Sequence, residues 1–204
     1  MLFRSHKRDH RQAHQSTDTV LDAARDCVLA VGVRRTTLTD VARRAGVSRM
    51  TLYRRWPDVR TLVADLMTRE FVTLITEVTR VADRDHVGPA VVDALVNGVQ
   101  ALRAHPLFRK IVEVDPELLL PYLLDRRGAS QEAMLRLLER DLRAGHADGS
   151  IRPVDPTRQA RAVLLVAQSH VMSAHTMTDD GDPALSATAF DDELRLILER
   201  YLLL

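Results

Sequence analysis

The chain has 204 residues, 46% of them hydrophobic and only 4% aromatic, with a formal net charge of +1, which favours aliphatic helices in one sizeable domain or two small ones sharing a core. No apolar run approaches the roughly 18 residues that span a membrane. The opening MLFRSHKRDHRQAH lacks the apolar segment of a secretory signal, and the single Cys27 has no partner for an internal disulfide, so a soluble cytoplasmic protein is expected.

Charge is distributed unevenly. Residues 1–70 carry 14 Lys/Arg against 8 Asp/Glu, and the remainder 15 against 20. Only the first third is therefore expected to meet a polyanion. Residues 1–14 read as a flexible basic arm. Within it His6, His10 and His14 recur every four residues. That spacing can place three metal ligands on one helix face, but no carboxylate or thiol cluster completes a site, and a polar tail is the preferred reading. No metal or cofactor is expected.

From about Gln15 the helical period sets in. Val20, Ala23, Ala24, Cys27, Val28 and Val31 form one stripe, closed by Gly32, and Cys27 reads as a small core residue. Thr37-Leu-Thr-Asp40 has the form of a capping box opening a short helix through Arg44. Ala45-Gly46-Val47 makes a tight turn, Ser48 is placed as the N-cap of a third helix, and Pro57 ends that helix. Asp58 caps a fourth, long helix over about residues 59–82, long enough, at roughly 35 Å, to belong to both halves of the protein. Further helices are expected from Gly88-Pro89 to about Ala104, as a brief LFRKIV after Pro106, and through LLLPYLL, which Pro121 should kink. Others are expected from Ser130 to about Gly145, from the Asp155-Pro156 start signal, and over about Phe190–Tyr201. No strand signal or internal repeat stands out.

Residues 38–56 fit a helix-turn-helix. Val41, Ala45, Val47 and Leu52 are apolar where two short helices pack, Ala42 is small at their closest approach, and Gly46 suits a turn with positive φ. At about 100° per residue, burying Leu52 and Trp56 turns Met50 and Arg54 outward, with Thr51 and Tyr53 on the flanks. Such a face suits the major groove of double-stranded DNA. Arg49 and Arg54 can reach guanine O6 and N7, or phosphate, and Met50 can meet a thymine methyl. Thr37, Ser48, Thr51, Tyr53 and Arg55 carry donors suited to phosphate oxygens.

The run TTLTDVARRAGVSRMTLYRRWPDVRTLVADL resembles the DNA-binding domain of the tetracycline-repressor (TetR) family. The likeness lies in the Thr-Thr opening, the Val-Ala pair, AGVS, TLY, the aromatic-Pro step and the Leu after it, within roughly residues 16–66. It implies an all-α, homodimeric transcription factor, usually a repressor released from DNA by a small ligand. In such a fold an N-terminal three-helix DNA-binding domain (15–57) is joined by a long fourth helix to a C-terminal ligand-binding and dimerisation bundle (58–204). Two positions depart from the family pattern. Met50 stands where many members have Gly, and Val59 where many have a phosphate-contacting Lys, which leaves Arg60 as the neighbouring cation for that contact.

Beyond the motif, the helix from Pro156 has apolar stripes on two sides. One comprises Ala160, Val163, Leu164, Ala167 and Val171, the other Ala162, Leu165, Val166 and Met172. With Leu194, Ile197, Leu198, Tyr201 and the closing Leu-Leu-Leu, they predict a homodimer through the last two helices, binding a near-palindromic operator. Candidate effector contacts are Leu102, Phe108, Leu119, Leu123, Val166 and Met172, with Asn97, Gln100, Tyr122, Gln168 and His170 as polar partners. Ordinary core packing is the competing reading of each, and the scarcity of cations favours a neutral or lipophilic effector. No phosphate-binding glycine loop, HExxH pair or nucleophile elbow supports an enzyme. The rival readings are a DNA-binding structural protein without a ligand and a helical enzyme with a vestigial DNA-binding domain.

Overall fold

The computed structural model describes residues 3–80, 86–179 and 181–204, with the side chains of 3–16, 79 and 80 outside the description. His6, His10 and His14 are thus outside the described side chains. Ten α-helices are formed among the described residues: α1 (Phe3–Val31), α2 (Leu38–Ala45), α3 (Arg49–Arg55), α4 (Val59–Arg80), α5 (Val87–Ala104), α6 (Pro106–Val114), α7 (Leu120–Leu124), α8 (Ala129–Ala147), α9 (Pro156–Ser173) and α10 (Ala187–Leu202). The only β pairing among them is an isolated antiparallel bridge between Ile151 and Leu203. The backbone of α1 begins at Phe3, inside the segment read from sequence as an arm.

Two compact units arise. The first comprises Met1–Arg69 together with Pro106–Gly128, and the second Glu70–His105 together with Ala129–Leu204. α4 therefore starts in one unit and continues into the other.

In the first unit the α1 stripe buries Val20, Ala24 and Val28 against Leu38, Val41, Leu52 and Trp56, with Leu62 and Leu66 of α4. Leu52 is completely buried, and truncating such a leucine to Ala costs about 2–5 kcal/mol. Leu107 and Ile111 of α6 belong to this same core. There the buried residues of α6 join those of α1 and the first half of α4, since the Leu107–Ile111 spacing gives α6 one apolar face.

Pro121 does not kink a helix. Pro116–Leu118 forms a single 3-10 turn, and Pro121 then lies in the first turn of the separate short helix α7, where its missing N–H is not needed.

In the second unit α5, α8, α9 and α10 bury Val92, Val96, Leu142, Val163, Leu194 and Leu198 together. A part-buried polar cluster ties α5 to α10, with Gln100 Nε2 donating to Asp191 Oδ2 at 2.9 Å and Arg103 paired with Asp191 Oδ1. Asp155 Oδ1 accepts the Arg158 N–H at 2.7 Å and opens α9. α10 starts before the expected Phe190, because Ser186 Oγ caps Ala189 N–H. The closing leucines divide: Leu202 is buried and its carbonyl accepts from Arg152 N–H, whereas Leu204 is exposed. Part of the surface expected to seek a partner is thus used within the subunit.

Candidate nucleic-acid interface

The reading unit is built from two caps and one left-handed turn. Thr37 Oγ1 accepts the Asp40 N–H at 3.1 Å and donates to Asp40 Oδ2 at 2.6 Å, so the threonine and aspartate brace the start of α2. α2 stops at Gly46, whose φ of +67° is the left-handed conformation that glycine adopts without penalty. Val47 N–H then returns to Ala42 O at 3.0 Å, turning the chain into Ser48. Ser48 Oγ accepts the Thr51 N–H at 3.1 Å and starts α3. Leu52 and Trp56 hold α3 to the core, and Trp56 Nε1 donates to Asp65 Oδ2 at 2.8 Å.

The outer face follows from that seating. Met50 is 81% exposed and Tyr53 is half exposed beside it. Arg49 and Arg54 are exposed on the same short helix, and among the described residues neither has a hydrogen bond or ion pair. Four other arginines of the region are engaged. Arg43 pairs with Asp40, Arg44 with Asp26, and Arg69 with Asp22. Arg55 donates to Thr17 Oγ1, and its guanidinium lies 4.8 Å from the centre of the Trp56 ring.

Asp22 and Asp26 lie four residues apart on α1, so one acidic stripe collects the cations of α2 and α4. The sequence reading missed this arrangement, although the four-residue spacing of Asp18, Asp22 and Asp26 was available as a signal. Arginines that pair inside the unit hold it together, and those left over form the outward charge.

At the start of α4, Asp58 Oδ1 accepts both the N–H and the hydroxyl of Thr61, at 2.7 and 2.9 Å. These two bonds, the backbone one first, hold the Asp58 carboxyl below its ordinary range. Arg60 is exposed nearby, and its charge helps to lower both Asp58 and Glu117. Thr37, Ser48, Arg49, Met50, Thr51, Tyr53, Arg54, Arg55 and Arg60 all lie in the first unit and are all at least partly open to solvent. The hydroxyls of Thr37, Ser48 and Thr51 already have partners within the protein.

The candidate effector residues are divided between the units. Phe108, Leu119, Tyr122 and Leu123 fall in the first, and Asn97, Gln100, Leu102, Val166, Gln168, His170 and Met172 in the second. Phe108 is buried, Leu119 packs on the first core, and Arg126 lies over the Tyr122 ring at 5.2 Å. In the second unit Gln168 Oε1 accepts from Gln131 at 2.8 Å, His170 Nδ1 lies 3.1 Å from Val166 O, and Val166 packs on the core. Asn97 is exposed. Several polar candidates are thus paired within their own unit.

Comparison with known proteins agrees with this geometry. A profile of bacterial regulatory proteins of the tetR family matches residues 20–66. An uncharacterized HTH-type transcriptional regulator of Mycobacterium tuberculosis is 38% identical over 183 residues, covering 90% of this chain and 92% of its own. Among solved structures, the transcriptional repressor QsdR of R. erythropolis superposes with a TM-score of 0.66 at 16% identity, over 91% of this chain and 95% of its own. The SmeT–triclosan complex does so with a TM-score of 0.59 at 22% identity, over 93% and 92%. A helix-turn-helix with an unpaired basic face, matched over nearly the full length by a transcriptional regulator, places this chain in the tetR family of DNA-binding transcriptional regulators.

Proposed function

We propose that the chain is a repressor that acts as a homodimer on a near-palindromic operator in the cytoplasm and is released by a small, lipophilic effector. The observation that carries the DNA-reading role is the outer face of α3, where Arg49, Met50, Tyr53 and Arg54 project from a helix seated by Leu52 and Trp56. Among the described residues Arg49 and Arg54 have no side-chain partner to give up, so they are assigned to base edges, and Met50 to a thymine methyl. Tyr53, Thr37, Ser48, Thr51 and Arg60 are assigned to phosphates. Arg55 is braced by Thr17 and Trp56, so it contributes to phosphate only by leaving that bracing.

Dimerisation rests on α9 and α10. Leu165 is 69% exposed, and Leu196 and Ile197 are also exposed, although each helix buries its opposite side. Apolar side chains exposed on two helices of one unit fit a four-helix interface with a second copy. An effector response is supported by a solved neighbour that is a complex with triclosan. Within the second unit, the half-buried apolar residues Leu102, Val166 and Met172 are the candidate effector contacts, with His170 and Gln168 as polar groups. A ligand-independent structural DNA binder would share the α3 face and lack the effector response.

Sequencing the DNA fragments that co-purify with the protein tests the reading. A recurrent inverted repeat is expected. Fragments enriched only by length or base composition would contradict a sequence-reading role. A thermal-shift screen with lipophilic metabolites then separates the effector-responsive repressor from the structural protein.

A further inference from the structure

The turn that delivers the chain into the helix-turn-helix is held by residues more than eighty positions away. Asp115, at the end of α6, is completely buried, and its Oδ2 accepts the Val33 N–H at 2.7 Å across a separation of 82 residues. Gly32, just before, has φ +80°, and a Cβ there would stand 2.9 Å from Val114 Cγ1 and 3.0 Å from Asp115 Oδ2. The backbone therefore approaches the end of α6 as closely as only glycine permits. On the solvent side Arg34 bonds Glu117 at 2.6 Å, and its Nε lies 3.6 Å from Asp115 Oδ1.

From this turn the chain passes directly to Thr36 and Thr37. The Thr36 hydroxyl donates to Gly32 O at 2.8 Å, and Thr37 caps α2. The orientation of α2, and of α3 seated on it, therefore depends on where Val33 is held.

A buried carboxylate is an expensive way to satisfy one N–H. Among the described residues Asp115 Oδ1 has no hydrogen-bond partner, and a buried carboxyl oxygen left without one opposes folding. The segment that carries Asp115, Pro106–Gly128, joins the second unit at both ends, after His105 and before Ala129.

We infer that Asp115 is a positioning residue for DNA reading, a latch by which the Pro106–Gly128 segment sets the turn before α2, with Arg34–Glu117 as its outer half. The inference rests on the assignment of α3 to DNA. Asp115 itself touches no base or phosphate. The buried Val33 N–H bond and the close approach at Gly32 together fix where the turn is held.

The test uses the full chain and two readouts. In hydrogen exchange without DNA, Asp115→Ala is expected to speed exchange from Val33 through α3 and to leave α5, α9 and α10 at the wild-type rate. Anisotropy with a duplex selected by the wild-type protein from a random library should show binding weakened about ten-fold, with unchanged binding to an unrelated duplex of equal length. Asp115→Asn keeps an oxygen for Val33 N–H and should restore both readouts to within about three-fold of wild type. A merely structural role would instead raise exchange in both units and lower affinity for both duplexes.

Should Asp115→Ala not fold, the double variant Arg34→Gln/Glu117→Gln tests the exposed half. It is expected to speed exchange over Val33–Thr37 by a smaller factor. Exchange at Val33 that stays at the wild-type rate in the variants overturns the latch. If the wild-type protein selects no duplex, the DNA assignment falls, while the exchange measurement still judges the contact.

Discussion

Both units bury aliphatic cores, yet they leave different apolar side chains in water. In the first, Met50 and Tyr53 stand among unpaired arginines. In the second, Leu165, Leu196 and Ile197 are exposed on two helices. The exposed apolar atoms alone do not distinguish these surfaces. The charge around them does. An apolar side chain within a cationic face is suited to a groove lined by phosphates, whereas apolar residues on two packed helices are suited to a second copy of themselves.

The largest effect should come from placing a charge on the second surface. If α9 forms the proposed dimer interface, Leu165→Glu is expected to sediment as a monomer at micromolar concentration where wild type sediments as a dimer. Because each half-site alone binds weakly, operator affinity should then fall by about 100-fold or more. A variant that remains dimeric would move the interface away from α9.

On the first surface, Arg49→Ala and Arg54→Ala should each reduce discrimination between preferred and altered sites by about 1–3 kcal/mol where the arginine pairs bidentately with a base. Tyr53→Phe should weaken all sites evenly. A change of preferred site by Tyr53→Phe, with both arginine variants keeping it, would reverse the assigned roles.

Ser48→Ala removes the cap of a seven-residue helix. It should cost about 0.5–2 kcal/mol of stability in denaturant titration, while leaving the oligomeric state unchanged. A shift in oligomeric state would break the independence of the two surfaces.

The smallest effect is a pH dependence at Asp58. Its folded-state carboxyl is depressed below the ordinary 3.8 by the Thr61 bonds. The stabilisation is therefore fully present above that value and is lost as pH falls through the lower, folded-state value. The difference in melting temperature between wild type and Asp58→Ala should be largest near neutrality and close as pH is lowered past 3.8. A difference that persists unchanged into stronger acid would mean that the carboxylate is not what caps α4.

How much was legible in the sequence follows the same division. The α2–α3 turn could be read because its determinants are local: a capping Thr37, a glycine at positive φ and a capping Ser48 within a dozen positions. The outward turn of Met50 and Arg54 followed from helical geometry alone. What could not be read depends on long-range contact. That Leu107 and Ile111 join the first core, and that Asp115 meets Val33, is set by tertiary packing that leaves no periodic trace. The use of Arg44, Arg55 and Arg69 as internal braces was hidden for the same reason, since an arginine's partner is a matter of which acidic face lies opposite. In the second unit the aliphatic stripes announced burial but not its partner, so Leu202 was read as surface and proved to be core.

Guanine N7 methylation protection on the selected duplex probes the major-groove edges assigned to α3, and the spacing of the protected patches reports a second copy. Two symmetric protected patches in successive major grooves, about 34–36 Å apart, are expected, each weakened in Arg54→Ala. A single patch, or protection that Arg49→Ala and Arg54→Ala leave intact, would contradict a dimer that reads DNA through α3.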